Sequence, residues 1–231
     1  MAVVSAPDDT APQAPVQPTL RANARTWAVL VVLAAAVIVA AFLCDDLVQG
    51  LVPAQLNPTT KEAARLISKY FDWPFMLLYS ALPLAYGWLR KKREWQRLGV
   101  ALMISCAVAG ITSTSIRSTT GRTRPNAEAP QGWYGPRHNG KWLIGKSEFN
   151  SFPSGHMGTA MGFSGILLLG ARRWKALAIL VGAAVGWSRI YLGYHHFSDV
   201  TVGALIGLAV GWYTWHRLLP RLARTWPVLH A

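Results

Sequence analysis

Six long apolar runs, separated by polar segments, limit the folds that this chain can adopt. A helix needs about 20 mostly apolar residues to cross a bilayer, and runs near this length exceed what the core of a water-soluble domain requires. The runs cover residues 27–43, 73–89, 98–116, 153–171, 174–187 and 200–215. The sequence therefore predicts an all-α integral membrane protein, in which one domain over residues 27–216 forms a bundle of six transmembrane helices.

The two ends of the chain differ in composition from the predicted bundle. Residues 1–26 are rich in Pro, Ala and Gln and predict a disordered cytoplasmic tail, and residues 217–231 predict a short cytoplasmic tail. A secretory signal peptide is the alternative interpretation of the first apolar run. No small-x-small cleavage site follows that run, so we interpret it as a retained transmembrane helix.

The distribution of basic residues predicts which side of the membrane each loop faces. Of the 23 Lys and Arg, 13 fall on one side of a six-span bundle, mostly in short segments beside the helix ends. The remaining ten are spread over longer loops. The positive-inside rule then places both termini in the cytoplasm of a bacterium. The loops 45–72, 117–152 and 188–199 are predicted to face the periplasm or the cell exterior.

The formal net charge of +13 raises the question of nucleic-acid binding. Because the basic residues cluster at the ends of apolar runs rather than along one polar face, they favour contact with anionic lipid, and we predict no nucleic-acid partner. Cys44 and Cys106 fall at different depths of the bundle and predict no disulfide. Neither has the spacing of a metal ligand. The sequence does not determine the oligomeric state.

Two helical patterns add detail to the bundle. Small residues recur at four-residue spacing in the last three runs, which predicts close helix packing: Gly158 and Gly162, Gly182 and Gly186, and Gly203, Gly207 and Gly211. Within loop 45–72, apolar residues lie opposite charged ones at helical spacing, which predicts a short amphipathic helix at the membrane interface or a solvated loop helix. Its apolar positions are Ala63, Leu66, Ile67 and Tyr70.

The polar stretch 188–199 carries the strongest catalytic pattern. If a helix opens near His195, then Asp199 lies one turn further along on the same face. A carboxylate there can accept the imidazole Nδ1–H, which leaves Nε2 free with raised basicity. Arg189 supplies a planar, charged fork that suits a phosphate. This combination predicts a histidine nucleophile aimed at a bound oxyanion.

Two further polar stretches are predicted on the same face of the membrane. In the stretch 117–125, Arg117 and Arg124 can surround a phosphate and neutralise the charge that develops on its oxygens.

The other stretch, Pro-Ser-Gly-His at 153–156, opens the fourth run. Pro153 fits the first helical turn, and the amides of Ser154, Gly155 and His156 are predicted to be free donors for an anion, together with the Ser154 hydroxyl. The imidazole of His156 can give a proton to a leaving oxygen.

Together the three stretches resemble the signature of the type 2 phosphatidic acid phosphatase superfamily. That signature reads Lys-x6-Arg-Pro, then Pro-Ser-Gly-His, then Ser-Arg-x5-His-x3-Asp, and this sequence departs from it by carrying Arg117 in place of the lysine. The resemblance implies a six-helix core of the superfamily type, with His195 as nucleophile, His156 as acid and Asp199 as orienting carboxylate. It implies no metal or other cofactor. The implied phosphate-binding residues are Arg117, Arg124, Ser154, Gly155 and Arg189.

The same resemblance implies a phosphatase that acts on a lipid phosphate or lipid diphosphate through a phosphohistidine at the periplasmic membrane face. Undecaprenyl pyrophosphate, phosphatidylglycerol phosphate, phosphatidic acid and lipid A phosphate are the implied substrate candidates. A lipid-to-lipid phosphotransferase with the same phosphohistidine is one alternative, and a non-catalytic lipid-binding or transport protein is another. The superfamily also contains soluble haloperoxidases, which the long apolar runs exclude.

Several polar and aromatic residues near the signature have other assignments. His196 is an alternative nucleophile, although it lies three residues from Asp199 and breaks the register. Arg122 and His138 lie outside the signature and are predicted to contact solvent or lipid head groups. The aromatic residues of the long loop predict an interfacial belt or, alternatively, a lining for the lipid's entry route: Trp133, Tyr134, Trp142, Phe149 and Phe152.

Overall fold

The computed structural model describes residues 24–226 and shows an almost entirely helical chain, which confirms the all-α prediction. The disordered tail predicted for residues 1–26 therefore lies outside the described residues, except for residues 24–26 at the start of the first helix. The helices in the described part are α1 (Ala24–Leu43), α2 (Asp45–Gly50), α3 (Pro58–Tyr70), α4 (Trp73–Leu89), α5 (Arg93–Thr120), α6 (Gly155–Gly170), α7 (Lys175–Tyr191), α8 (Phe197–Tyr213) and α9 (Leu219–Thr225).

The connections contain only short regular elements. Between α5 and α6, strands β1 (Arg137–His138) and β2 (Lys141–Trp142) pair as a small antiparallel hairpin. Single 3₁₀ turns occupy Ser147–Phe149 and Arg172–Trp174, and a π-helical turn, Thr214–Leu218, joins α8 to α9. Part of the predicted C-terminal tail is therefore helical, and its residues 227–231 lie outside the described residues.

The six apolar runs correspond to α1, α4, α5, α6, α7 and α8. Among residues 24–226, three helices are long and apolar enough to cross a membrane: α1, α5, and α8 with its continuation to Thr225. Helices α4, α6 and α7 have 16 or 17 residues, or about 25 Å of length, somewhat less than the hydrocarbon thickness of about 30 Å. The count of six spans remains a prediction.

Helix α6 is the centre of the bundle and packs against α4, α5, α7 and α8. Its approach to α8 depends on glycine. A Cβ at Gly203 would lie 2.6 Å from the Ser154 carbonyl oxygen, and one at Gly207 would lie 2.5 Å from the Gly158 carbonyl oxygen. Neither distance accommodates a side chain, so the predicted small-residue rows of α6 and α8 meet face to face. This close packing brings the start of α6 against the start of α8.

Helix α3 confirms the predicted short helix in loop 45–72. It begins after Asn57, whose side-chain oxygen accepts the amide N–H groups of Thr59 and Thr60 at 3.0 and 3.2 Å, a common N-cap arrangement. Its buried positions are Ala64 and Ser68, and it packs against α7. The apolar positions predicted from spacing, Leu66 among them, lie mostly on the exposed side of the helix.

Candidate active site

The three polar stretches meet at one end of the bundle. The Ser154 amide donates to the Asp199 carbonyl oxygen at 3.0 Å, which joins the start of α6 to the start of α8. A Cβ at Gly155 would lie 3.3 Å from Arg117 Nη1, which places the end of α5 against the start of α6. Residues as distant in the sequence as Arg117 and Asp199 thus belong to one site.

His195 lies in the short connection between α7 and α8 and is completely buried. Its Nδ1 is 2.7 Å from the Ser151 carbonyl oxygen and 3.6 Å from Asp199 Oδ2. The carbonyl can only accept, so Nδ1 carries the proton and Nε2 keeps a lone pair. Nε2 is buried without a hydrogen-bond partner among the described residues. The nearer acceptor is therefore Ser151, a residue outside the predicted signature, with the Asp199 carboxylate close behind.

The surroundings of His195 keep its imidazole neutral. Burial is the main cause that lowers the pKa of His195 to about 4; the charges of Arg189 and Arg124 act in the same direction, and Asp199 acts in the opposite direction. An ordinary histidine titrates near pH 6.5. At neutral pH the free Nε2 of His195 is therefore an unprotonated nitrogen in a buried, cationic environment.

Asp199 is buried at the start of α8 and has several donors. Its Oδ1 accepts from Arg122 Nη1 at 2.6 Å, and its Oδ2 accepts from the Ser151 hydroxyl and from the His196 amide at 2.8 Å. A buried carboxylate with this set of donors remains ionised. It also holds Ser151 in place, and the Ser151 carbonyl oxygen accepts the hydrogen bond from His195 Nδ1–H.

Arg122 differs from its predicted place at the periphery, because it is only 8% exposed. Its guanidinium links Asp199 to Asp45, reaching Asp45 Oδ2 at 2.7 Å, and it lies over the rings of Phe42 and Trp133 at 5.1 and 4.8 Å. The residue that the sequence assigned to solvent or head groups is a buried cation between two carboxylates. The signal was missed because Asp45 lies 77 positions away.

Asp45 belongs to α2 and extends the same buried network. Its Oδ1 accepts from the Ser198 amide at 2.8 Å and its Oδ2 accepts from the Ser198 hydroxyl at 2.6 Å. The carboxylate therefore anchors the first turn of α8, in which Ser198 and Asp199 are neighbours. No periodicity or motif in the sequence connects this residue to the signature.

The three predicted phosphate-binding arginines share one feature. The Nε of Arg117, of Arg124 and of Arg189 is buried and has no hydrogen-bond partner within residues 24–226. Buried donors without acceptors are costly and need an explanation. Burial and the charge of Arg117 lower the pKa of Arg124, whereas Tyr194 and Asp199 raise it. An anion bound between these groups would supply the missing acceptors.

Two residues that the sequence did not single out hold these arginines in place. The Ser68 hydroxyl on α3 accepts a hydrogen bond from Arg189 Nη1. The Tyr194 ring lies 4.6 Å from the Arg189 guanidinium carbon and 5.5 Å from that of Arg124. Tyr194 therefore stands between two cations that would otherwise repel each other, and contributes cation–π attraction to both.

The Pro-Ser-Gly-His stretch differs in two respects from its prediction. Pro153 precedes the helix instead of lying in its first turn, because Ser154 is the N-cap and accepts the amide N–H three residues further on at 3.4 Å. The Ser154 amide is also occupied, since it donates to the Asp199 carbonyl. Two amides, those of Gly155 and His156, begin the helix and remain available to an anion.

His156 has a carboxylate partner that the sequence analysis missed. Its Nε2 lies 3.2 Å from Oδ1 of Asp72, the residue that precedes α4. Both border a cavity of about 540 Å³ between α4, α5 and α6. Arg117 and Gly155 line the same polar end of the cavity, and the remaining wall is largely apolar, formed by Trp73, Leu77, Cys106, Ala107, Gly110 and Ile111.

The other sequence candidates lie outside this arrangement. His196 Nε2 is 3.1 Å from the Thr123 carbonyl oxygen, so this ring contacts the loop after α5. His138 is exposed and packs edge-on against Tyr134, with 4.8 Å between ring centroids. Cys44 and Cys106 are free thiols. Within residues 24–226, no group of three or more His, Cys, Asp or Glu side chains is arranged to hold a metal ion.

Comparison with known proteins places this site in a recognised family. The family model described as the PAP2 superfamily matches residues 98–222, which contain all three polar stretches. The chain is 33% identical over 144 residues to "Probable lipid phosphate phosphatase 4" of Arabidopsis thaliana, covering 50% of this chain and 46% of that protein. It is 30% identical over 139 residues to "Bacitracin transport permease protein BcrC" of Bacillus licheniformis, with 60% and 64% covered.

A third relative is "Lipid A 1-phosphatase" of Rhizobium etli, 25% identical over 165 residues, with 67% of this chain and 68% of that protein covered. The chain thus matches between about half and two thirds of the length of these relatives.

Two solved structures share the fold. The crystal structure of Aquifex aeolicus LpxE has a TM-score of 0.52 at 23% identity, with 74% of this chain and 93% of that chain covered. The crystal structure of the first transmembrane PAP2 type phosphatidylglycerolphosphate phosphatase, from Bacillus subtilis, has a TM-score of 0.57 at 23% identity, with 82% and 92% covered. At this level of identity the similarity concerns the arrangement of the helices.

Proposed function

Because the chain belongs to the PAP2 superfamily, we propose that it is a membrane phosphatase that removes a phosphate group from a lipid phosphate or lipid diphosphate. The observation that carries this proposal is the environment of His195 Nε2. This nitrogen is fully buried, unprotonated at neutral pH and without a partner, and it lies within reach of the charges of Arg124 and Arg189. A free nucleophile beside unpartnered guanidinium groups fits a phosphoryl group between them.

In the first step, the His195 Nε2 lone pair attacks the phosphorus, and the bond from phosphorus to the lipid oxygen breaks. Arg117, Arg124 and Arg189 neutralise the charge on the phosphoryl oxygens, and the free amides at the start of α6 add donors. His156 gives its proton to the leaving oxygen. The product is a phosphohistidine on His195 and a lipid that ends in a hydroxyl group, or in a phosphate when the substrate is a diphosphate.

In the second step, a water molecule attacks the phosphohistidine. His156, now neutral, takes a proton from that water while the new oxygen–phosphorus bond forms and the phosphorus–nitrogen bond breaks. Orthophosphate leaves, and both histidines return to their starting protonation states. Throughout the cycle, the Ser151 carbonyl and the Asp199 carboxylate hold the His195 ring and favour the charge that its phosphorylation creates.

The membrane setting belongs to the same proposal. We place six spans in the inner membrane of a bacterium, both termini in the cytoplasm, and the site at the periplasmic face. The apolar cavity beside His156 then receives the part of the lipid chain nearest the phosphate. Relatives named as lipid phosphate, lipid A and diacylglycerol pyrophosphate phosphatases support the substrate class, within which polyprenyl, glycerophospholipid and lipid A phosphates are the candidates.

The experiment that tests the proposal is an orthophosphate-release screen of the purified protein in detergent with EDTA present. The panel contains undecaprenyl pyrophosphate, phosphatidylglycerol phosphate, phosphatidic acid and lipid A. Release of free orthophosphate from at least one lipid supports a metal-independent hydrolase. Transfer of phosphate to a second lipid without release indicates the phosphotransferase, and binding without turnover indicates the lipid-binding or transport protein.

The pKa of His195 predicts the acid limit of activity. Since the attacking form is neutral and its pKa is lowered to about 4, protonation of His195 should reduce kcat/KM only as the pH falls towards 4. With an ordinary histidine the loss would begin near pH 6.5. A pH profile of kcat/KM, which reports on the free enzyme, checks this. An acid limb of kcat/KM near pH 6.5 would contradict the assignment.

Vanadate should inhibit the enzyme competitively. It adopts the five-coordinate geometry of phosphoryl transfer, and analogues of that state bind about 10²- to 10⁸-fold more tightly than substrates. We expect inhibition by micromolar vanadate when orthophosphate release is followed against vanadate concentration. Arg137→Ala, a change at an exposed loop arginine, serves as the matched control for Arg189→Ala. Vanadate affinity should fall for Arg189→Ala alone; an equal response of both variants would contradict the proposed anion site.

A further inference from the structure

Asp72, a residue outside the family signature, contacts His156, the proposed proton donor. It lies between α3 and α4, whereas the match to the superfamily covers residues 98–222. Its Oδ1 accepts from the Trp73 amide at 2.8 Å and is 3.2 Å from His156 Nε2. The hydrogen bond to the helix amide fixes the carboxylate, so its contact with His156 is held by the backbone of α4 rather than by a free side chain.

The positive charges around His156 explain why a carboxylate in contact with its imidazole matters for proton donation. His156 feels the positive charges of Arg117 on α5, Arg189 on α7, Arg124 in the loop after α5, and any charge on His195 before α8. Burial disfavours the imidazolium that has to donate a proton, and all of these charges add to that effect. The carboxylate of Asp199 is occupied by Arg122, Ser151 and the His196 amide. Asp72, which immediately precedes α4, is a carboxylate in direct contact with His156.

We propose that Asp72 is the positioning residue for the general acid: it accepts one N–H of the His156 imidazolium and directs the other to the leaving oxygen. This rests on the proposed phosphatase function and deepens it. Asp72 transfers no proton to the substrate itself. The site then contains two histidine–carboxylate pairs, His195 with Asp199 for the nucleophile and His156 with Asp72 for the acid.

If Asp72 positions the general acid, the effect of replacing it should depend on the leaving group of the substrate. A purely structural role of Asp72 would not produce this dependence. A phosphatidate releases an alkoxide, which needs a proton because alcohols are about as weakly acidic as water. A diacylglycerol pyrophosphate releases a phosphomonoester, whose second pKa is about 6 and which leaves without help. The two substrates can carry identical acyl chains. Loss of acid assistance should therefore slow the first and spare the second.

The test compares Asp72→Asn with the parent protein on dioctanoyl phosphatidate and dioctanoylglycerol pyrophosphate, with orthophosphate release as the readout. Asparagine also caps helices, so α4 keeps its start while the charge is lost. We expect kcat/KM for the phosphatidate to fall about 10²-fold, at the lower end of what a general acid contributes. The rate of the first cleavage of the pyrophosphate should stay near that of the parent. Asp46→Asn, at an exposed carboxylate of α2, is the control and should leave both rates unchanged.

A pH profile provides the second readout. Without the Asp72 charge, the His156 imidazolium loses its proton more easily, so the alkaline limb of kcat/KM for phosphatidate should move to lower pH. Asp72→Glu should move it back. An equal loss on both substrates, or no loss on either, would overturn the role of Asp72. Absence of orthophosphate release by the parent protein from these two lipids and from every lipid of the phosphate-release screen would instead refute the phosphatase proposal, so the two failures are distinguishable.

Discussion

Replacing His195 with alanine should lower turnover of the lipid phosphate by about 10⁴-fold or more, the scale of loss expected when a covalent nucleophile is removed. Nε2 is the buried nitrogen without a partner, and no other imidazole of the described residues occupies the same position between Ser151, Asp199 and the arginines. The measurement is kcat by orthophosphate release, with protein folding checked by size-exclusion chromatography.

His196→Ala is the matched control for this prediction. The two imidazoles are adjacent in sequence, but His196 Nε2 faces the Thr123 carbonyl at 3.1 Å. Its replacement removes one hydrogen bond, which contributes about 1 kcal/mol to stability, and should leave most of the turnover. Turnover that survives in His195→Ala, or is abolished in His196→Ala alone, would reverse the assignment of the nucleophile.

Replacing Arg122 with leucine should lower the free energy of unfolding by about 3–5 kcal/mol, the range measured when one partner of a buried ion pair is removed. The guanidinium is the cation between Asp45 and Asp199, at 2.7 and 2.6 Å. With leucine at this position, the two buried carboxylates lose their guanidinium partner and repel each other. In thermal unfolding in detergent, this corresponds to a decrease in Tm of the order of 10 °C for a protein of this size.

The loop supplies a control for the Arg122 prediction as well. Arg137→Leu removes an exposed guanidinium that lies 5.8 Å from the Trp142 ring, and its Tm should stay within a degree or two of the parent. Adding Asp45→Asn to Arg122→Leu should recover part of the loss, because it removes one of the stranded charges. If Arg122→Leu costs no more than Arg137→Leu, the buried network does not hold the start of α8.

The sequence predicted the helices well because hydropathy is a local property. Each apolar run coincides with a helix, and the run at 73–89 matches α4 to the residue. The close packing predicted from the glycine rows is also found, since a Cβ at Gly207 has no space against α6. The number of spans that cross the membrane was less readable, because helices of 16 or 17 residues such as α6 and α7 are near the lower limit of a spanning helix.

The partners of the site residues were harder to predict than the residues themselves. The signature places His195, His156 and three arginines together, but it does not contain Asp45, Asp72 or Ser68, which come from the region before α5. Such contacts depend on how α2, α3 and α4 pack against the bundle, and no short-range pattern encodes that packing. Arg122 was assigned to the surface for the same reason: an arginine in a loop is usually exposed unless a distant carboxylate pairs with it.

At the start of α6, two predictions made from local sequence preferences differ from the structure. Proline is common in the first turn of helices, yet here Ser154 caps the helix and Pro153 precedes it. The Ser154 amide was expected to bind the anion, but the close approach of α8 brings the Asp199 carbonyl within 3.0 Å of it. Both differences arise from tertiary packing, which competes with the local preference of each residue.

The central claim is that His195 Nε2 carries the phosphoryl group between the lipid and water. The most direct measurement is rapid-quench trapping of the protein with dioctanoyl [³²P]phosphatidate. The quenched protein is digested under alkaline conditions, which preserve phosphohistidine, and the labelled peptide is identified by mass spectrometry. The account predicts an acid-labile phosphate on His195 during turnover and none in His195→Ala. Turnover without a trapped phosphoenzyme under any quench time, or a label on His196 or another residue, would contradict it.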